Sequence, residues 1–304
     1  MKKTVLIVGI TSFVGSNLAE VLSSTYRVVG TYFTKREALP NRYLMLPCNV
    51  LNKEELKRAI RFFQPDYVIY AVGISSLSEA KKRGKETEAL NVTGAVNCLN
   101  IAERAGALFI YLSSAYALSG ENKFFKEADA AVPITTYGTT VANAEFYIQR
   151  SSLHYLILRC PVLYGLSYST HKLNIFELLQ KSVFTEKKLT LDDHAEVGFL
   201  DVQLLARFIM ILLEKNIINR LLQISSKDQL SFFKFSQLYA QVFKSTSSLF
   251  VAEKIPFPVD IRNEPSQLSF RMDVTNTESR IGIKMPTVQE SLTFTKSRLS
   301  EKSS

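Results

Sequence analysis

The stretch that decides the fold is Thr4-Val5-Leu6-Ile7-Val8-Gly9-Ile10-Thr11-Ser12-Phe13-Val14-Gly15. Its first half is an apolar run that ends at Gly9, which is typical of a strand buried on both faces of a parallel sheet. A segment with apolar residues at helical spacing begins at Gly15. Backbone amides and a helix amino terminus favour a pyrophosphate at such a turn. The stretch therefore predicts a dinucleotide site, with an ordinary tight turn as the alternative, and the expected contacts are Gly9, Thr11, Ser12, Phe13, Val14 and Gly15.

Strands and helices alternate through the first half of the chain. Apolar runs such as Tyr67–Ala71 and Leu108–Leu112 are separated by segments of helical spacing such as Lys53–Phe63 and Thr136–Arg150. This alternation predicts an α/β fold with right-handed crossovers and a Rossmann-type doubly wound parallel sheet, whose ligands lie at the carboxyl ends of the strands.

The pattern becomes less regular after Pro161. We predict a Rossmann domain over residues 1–160 and a smaller, interleaved C-terminal substrate domain over residues 161–295. Residues 197–226 are expected to return to the main sheet. The polar residues 296–304 are expected to form a frayed tail.

Composition narrows the class of protein. The chain has 304 residues, of which 46% are apolar and 21% charged, so it can bury a sizeable core and is neither disordered nor fibrous. Three cysteines within or beside apolar runs favour reduced thiols in a cytoplasmic protein. No apolar run approaches the roughly 20 residues that span a bilayer, so no membrane association is expected.

The net charge of +9 is spread along the chain without an aromatic-basic motif. Nucleic-acid binding is therefore not expected, whereas anionic nucleotide ligands suit a basic surface. The three histidines show no metal-ligand spacing, which predicts no metal site.

Three further segments are predicted to contact the dinucleotide. The second strand is followed by Lys35 and Arg36 without an acidic residue, which favours NADP over NAD; the alternative is that both are solvated loop charges. Asn49 and Val50 follow the third strand, at a position that commonly meets the adenine. Ala71, Val72 and Gly73 follow the fourth strand. Ser12 stands at the middle glycine position of the loop, and its Cβ predicts weakened nucleotide binding.

Several motifs carry a resemblance to a known family: the Gly9–Gly15 loop, Pro65-Asp66-Tyr67-Val68-Ile69, Asn91-Val92-Thr93-Gly94, Phe109-Ile110-Tyr111-Leu112-Ser113-Ser114, Tyr137-Gly138, and Leu158-Arg159-Cys160-Pro161-Val162-Leu163-Tyr164-Gly165. With them the chain resembles the extended short-chain dehydrogenase/reductase superfamily. Within that superfamily it is similar to the dTDP-4-dehydrorhamnose reductase group and to its relative, the regulatory beta subunit of methionine adenosyltransferase.

The resemblance implies roles for particular residues. Ser114 would bond a substrate carbonyl, and Tyr137 would protonate its oxygen as hydride arrives, with Tyr137 also beside the cofactor. The segment after Pro161 lines the sugar-nucleotide cleft in relatives, so Tyr164, Ser167 and His171 are expected to contact the substrate. Ser75 is a further expected substrate contact. The chain departs from the family at Ala115, where an aspartate is frequent, and at Glu264-Pro265, where an Arg-Pro pair is expected.

The most consequential departure is Val141, which stands where the family's Tyr-x-x-x-Lys motif has its lysine. Lysine one turn beyond Tyr137 lowers the phenol pKa and bonds the nicotinamide ribose, and valine does neither. Three hypotheses follow: a slow NADP-dependent reductase of a 4-keto-6-deoxy nucleotide sugar; a nucleotide-binding pseudoenzyme that regulates or scaffolds a partner protein; and, less favoured, an epimerase or dehydratase. A homodimer is also compatible with the sequence.

Overall fold

The computed structural model describes residues 2–34, 43–150, 154–168, 172–258 and 268–303. The strands are β1 (Thr4–Val8), β2 (Arg27–Tyr32), β3 (Leu44–Pro47), β4 (Tyr67–Tyr70), β5 (Leu108–Ser114), β6 (Phe124–Phe125), β7 (Tyr155–Cys160), β8 (Val162–Tyr164), β9 (Leu189–Asp192), β10 (Phe199–Asp201), β11 (Arg220–Gln223), β12 (Phe250–Glu253) and β13 (Arg271–Met272).

The α-helices are α1 (Phe13–Leu22), α2 (Lys53–Phe63), α3 (Leu77–Lys82), α4 (Gly84–Glu88), α5 (Ala95–Arg104), α6 (Thr136–Gln149), α7 (Ile175–Thr185), α8 (Val202–Glu214), α9 (Phe232–Phe243), α10 (Thr275–Ile281) and α11 (Val288–Ser303). A π-helical turn, Ala89–Gly94, joins α4 to α5, and a 3₁₀ turn, Ala115–Ala117, follows β5.

The central sheet has seven parallel strands in the order β11-β7-β5-β4-β1-β2-β3. The order reverses at β1, which pairs with β2 on one side and β4 on the other. This is the doubly wound arrangement, and it confirms the predicted Rossmann-type sheet. The reversal places a crevice at the carboxyl end of β1, where the Gly9–Gly15 loop begins.

The apolar run of β1 is explained by the two helical layers that cover the sheet. Val5 and Ile7 belong to a core cluster that includes residues of α1 and α8, whereas Leu6 and Val8 face a second cluster with residues of α2, α5 and α6. Successive strand residues point to opposite faces, so a strand that is covered on both faces is apolar at nearly every position.

The C-terminal part has an aromatic-rich core of its own and three two-stranded parallel pairs, β8 with β10, β9 with β12, and β6 with β13. Within residues 197–226, β11 pairs with β7 at the edge of the central sheet, and α8 contacts α1. β10 remains outside the sheet, beside β8.

The expectation of a frayed tail is wrong for residues 296–303, which continue α11. Lys296 donates to the backbone oxygen of Val242 at 2.7 Å, and Arg298 bonds the buried carboxylate of Asp201 at 3.0 Å. Two of its charged side chains thus have tertiary partners. Among the described residues, no helix is both long and apolar enough to cross a membrane.

Candidate functional site

The Gly9–Gly15 loop is shaped by its first and last glycines. Gly9 has φ +87°, and a Cβ on Gly15 would lie 2.3 Å from the Gly9 carbonyl oxygen. Neither position tolerates a side chain without a shift of the backbone. Ser12 differs, because its backbone is extended and it caps α1, with its Oγ accepting a hydrogen bond from Gly15 N at 2.9 Å. The middle position of this loop therefore does not require glycine.

A cavity of about 350 Å³ opens beside this loop at the carboxyl edge of the sheet. Its wall contains nine residues predicted from the sequence to contact cofactor or substrate: Ser12, Phe13, Val14, Ala71, Val72, Gly73, Ser75, Ser114 and Tyr137. Gly9 adjoins the same wall, since a Cβ there would lie 2.7 Å from a Val72 methyl group. The strand order brings together segments more than 100 residues apart in sequence.

Tyr137 and Ser114 are neighbours in this wall, where the Ser114 hydroxyl acts on the Tyr137 phenol. Ser114 is the last residue of β5, and Tyr137 lies in the first turn of α6, which Thr135 caps by accepting from Gly138 N at 3.0 Å. Burial raises the pKa of the Tyr137 phenol to about 12, against the lowering effect of the Ser114 hydroxyl. The phenol is therefore neutral near pH 7 and can act as a proton donor.

Val141 lies one helical turn beyond Tyr137, is 2% exposed, and lines the same cavity. Among the described residues, the side chains that line the cavity include no Lys, Arg, His, Asp or Glu. No charged side chain of the described wall therefore replaces the lysine that the family has at this position. Cys160 also lines the cavity, and burial raises the pKa of its thiol to about 12, which keeps it unreactive.

Asn91 links three segments of the cavity through hydrogen bonds. Its sequence motif resembles that of the family but predicted no role for this residue. Its Oδ1 accepts from Ile74 N at 2.9 Å, and its Nδ2 donates to Ile74 O at 3.1 Å and to Thr140 Oγ1 at 2.9 Å. Asn91 lies in the π-helical turn, Ile74 follows β4, and Thr140 lies on α6. The amide therefore fixes the position of α6, and with it Tyr137, relative to the loop after β4.

A buried ion pair holds α6 to the sheet below the cavity. Arg159 of β7 donates to the Glu145 carboxylate from Nε at 2.9 Å and from Nη2 at 2.8 Å, and both side chains are 2% exposed. Ser113, which precedes Ser114 on β5, donates to the same carboxylate at 2.5 Å. Charge-assisted, bidentate bonds of this kind set helix position as well as energy.

Other predicted site residues lie elsewhere. Tyr164 is fully buried, lies outside the cavity wall and hydrogen-bonds Ser291 Oγ at 2.7 Å. Ser167 is outside the cavity wall, and its backbone N donates to Glu177 at 2.9 Å. Asn49 and Val50 also lie outside the wall, at the end of β3, where Val50 packs in the core. Lys35, Arg36 and His171 fall outside the described residues.

No cluster of three or more His, Cys, Asp or Glu side chains within the described ranges could hold a metal ion. Tyr111, Tyr116 and Cys160, for which the sequence predicted no site role, line the cavity with the predicted residues. The glycine-rich turn, the switch in strand order and the Tyr-Ser pair together define a short-chain dehydrogenase/reductase architecture. The chain belongs to the family described as RmlD substrate binding domain, whose model matches residues 1–300.

Among known proteins, this chain is similar in sequence to methionine adenosyltransferase 2 subunit beta. Methionine adenosyltransferase 2 subunit beta of Rattus norvegicus is 28% identical over 191 residues, which are 62% of this chain and 56% of that protein. The chain therefore matches little more than half the length of this relative.

Solved structures show the same fold. The dTDP-4-dehydrorhamnose reductase of Bacillus anthracis in complex with NADP superposes with a TM-score of 0.81 at 18% identity, covering 98% of this chain and all 100% of that one. UDP-glucose 4-epimerase of Thermotoga maritima with UDP-glucose gives a TM-score of 0.82 at 18% identity, covering 99% and 100%.

Proposed function

We propose that this protein binds a nicotinamide dinucleotide at the Gly9–Gly15 loop and a nucleotide sugar in the adjoining cavity, and that it reduces a 4-keto-6-deoxy nucleotide sugar slowly. The observation that carries the proposal is the Tyr137–Ser114 pair in the wall of a cavity that also includes Ser12, Phe13 and Val14. NADP is favoured because Lys35 and Arg36 follow β2 and because the similar reductase structure contains NADP.

The residues of the loop fit a dinucleotide. The amino end of the ten-residue helix α1 faces the turn, and Gly9 and Gly15 keep the turn free of side chains where a phosphate approaches. Ala71, Val72 and Gly73 would flank it at the end of β4. When bound, the dinucleotide would supply the hydride. The Tyr137 hydroxyl would give a proton to the sugar oxygen, and Ser114 would orient that oxygen.

The same geometry predicts a low rate. The proton donor leaves a phenolate behind, and Val141 offers it neither charge nor hydrogen bond. General acid catalysis contributes about 10²- to 10⁴-fold, and a phenol with a pKa near 12 is a weak acid for this purpose. Turnover should therefore lie orders of magnitude below that of a site with the lysine.

A second candidate function is regulation or scaffolding of a partner protein by a nucleotide-bound form. It is supported by the uncharged wall around Tyr137 and by the similarity to methionine adenosyltransferase 2 subunit beta. The epimerase or dehydratase hypothesis has less support, because those reactions also depend on the tyrosine-lysine pair.

The test is a titration with NADPH and NADH by nucleotide fluorescence, followed by addition of dTDP-4-dehydrorhamnose and measurement of NADPH oxidation at 340 nm. Tight NADPH binding and slow oxidation that is lost in Tyr137→Phe would support the reductase. Binding without oxidation by keto sugars carried on dTDP, GDP or UDP would favour the regulatory role. Failure to bind either nucleotide would contradict both.

A further inference from the structure

Tyr116 lies beside the Tyr137–Ser114 pair, at a position without a sequence signal for function. It is the middle residue of the 3₁₀ turn Ala115–Ala117, directly after β5. Its backbone N donates to Ser114 Oγ at 3.3 Å, and its side chain lines the cavity together with Ser114 and Tyr137. Three hydroxyl-bearing residues, Ser114, Tyr116 and Tyr137, thus line the same cavity.

The position of Tyr116 relative to Tyr137 is fixed by close packing. A Cβ on Gly138 would lie 2.1 Å from the Tyr116 carbonyl oxygen, so the 3₁₀ turn abuts the first turn of α6 with no space for a side chain. The two tyrosine rings meet edge to face, with centroids 6.2 Å apart. Gly138 therefore sets the separation of the two phenols through the backbone.

Aromatic residues of the C-terminal part hold the other side of the Tyr116 ring. Phe270 contacts it edge to face at 4.9 Å between centroids, and Phe257 lies at 5.9 Å. Phe257 and Phe270 stack on one another at 5.5 Å. Phe270 is itself anchored, because its backbone N donates to Glu196 O at 2.9 Å. Tyr116 is thus clamped between α6 and the part of the fold expected to bind the sugar.

The Tyr116 phenol is a neutral hydrogen-bond donor. Burial raises its pKa above the ordinary value, and the nearby Tyr137 and Asp192 act in the same direction. In a wall without charged side chains, hydroxyl groups are the donors available to an oxygen that gains negative charge. A fixed phenol costs little entropy when it makes such a bond.

We propose that Tyr116 is a ligand-binding residue whose hydroxyl donates a third hydrogen bond to the sugar oxygen that Tyr137 and Ser114 bind. The inference rests on the proposed function and deepens it, since it names a third donor for the reacting oxygen. This bond offsets part of the stabilisation that Val141 does not supply.

The test is calorimetric titration of dTDP-rhamnose, the product-state probe, into NADP⁺-saturated protein. Tyr116→Phe keeps the ring and its aromatic contacts and removes only the hydroxyl. We expect its dissociation constant to rise about tenfold, the loss of one hydrogen bond of about 1.4 kcal/mol. Unchanged NADP⁺ affinity would place the loss in sugar binding.

The matched control is Tyr26→Phe. Tyr26 precedes β2, at the amino ends of the strands and thus on the side of the sheet away from the cavity. Its ring meets that of Tyr67 edge to face, with centroids 5.8 Å apart. This variant should bind the probe like the wild type. A Tyr116→Phe affinity within twofold of the wild type would overturn the inference and leave the proposed function standing. A wild type that binds NADP⁺ but no dTDP-rhamnose would overturn the inference together with the sugar-binding part of the proposed function.

Discussion

Val141→Lys should convert the site into a faster reductase. Val141 and Tyr137 are four residues apart on α6, which is about 6 Å along the helix axis and on one face. Val141 lines the cavity, so a lysine there can extend its ammonium group into the open space of about 350 Å³ instead of the core. The substitution adds a charged side chain, of which the described wall contains none.

The size of the effect follows from the phenol. A cation within 4–6 Å lowers a neighbouring acid's pKa by roughly 1–3 units, so the Tyr137 pKa should fall from about 12 to roughly 9–11. Each unit stabilises the phenolate by about 1.4 kcal/mol. With ribose contacts adding to this, we expect NADPH oxidation to accelerate by about 10²-fold.

The assay is single-turnover oxidation of NADPH with excess protein and dTDP-4-dehydrorhamnose. Val141→Met is the control, because it lengthens the side chain without adding charge and should leave the rate unchanged. The Tyr137 phenol can be followed by its ultraviolet difference spectrum between pH 8 and 12. A folded Val141→Lys protein that binds NADPH, shows the lowered phenol pKa and yet oxidises NADPH no faster would refute the reasoning, since substrate contacts and not the missing charge would then limit the site.

Three further outcomes are expected. Gly15→Ala should abolish NADPH binding, because its Cβ would lie 2.3 Å from Gly9 O, whereas Gly84→Ala, with its nearest neighbour at 3.9 Å, should bind normally by fluorescence titration. Glu145→Gln should lower the free energy of unfolding by about 3–5 kcal/mol in urea, because the Arg159 guanidinium would stay buried without a counter-charge; a loss below 1 kcal/mol would contradict this. Burial raises the Tyr137 pKa from 10.0 to about 12, so the folded state holds this proton more tightly than the unfolded state. The contribution of this proton to the free energy of unfolding is complete below pH 10 and is lost as the pH rises through 12. Tyr137→Phe should therefore reduce the fall in the free energy of unfolding over this pH range.

The sequence determined the parallel sheet and the Gly9–Gly15 loop. In β1 every position is buried, so the apolar run itself reports two helical layers. Gly9 and Gly15 could be recognised because their backbone geometry excludes side chains, which is a local requirement. The pairing of Tyr137 with Ser114 was implied by family resemblance, and the strand order then placed both in one wall.

Only the tertiary structure decided the remaining roles, because they depend on partners far along the chain. Tyr164 follows a family motif, yet its hydroxyl bonds Ser291 on α11, and this partner makes it a core residue. Within the polar residues 296–303, Lys296 and Arg298 bond Val242 and Asp201, which lie far along the chain. Tyr116 joins the site because the backbone at Gly138 and the ring of Phe270 enclose it. A periodic pattern records which face of an element is buried, but not which distant side chain lies against it.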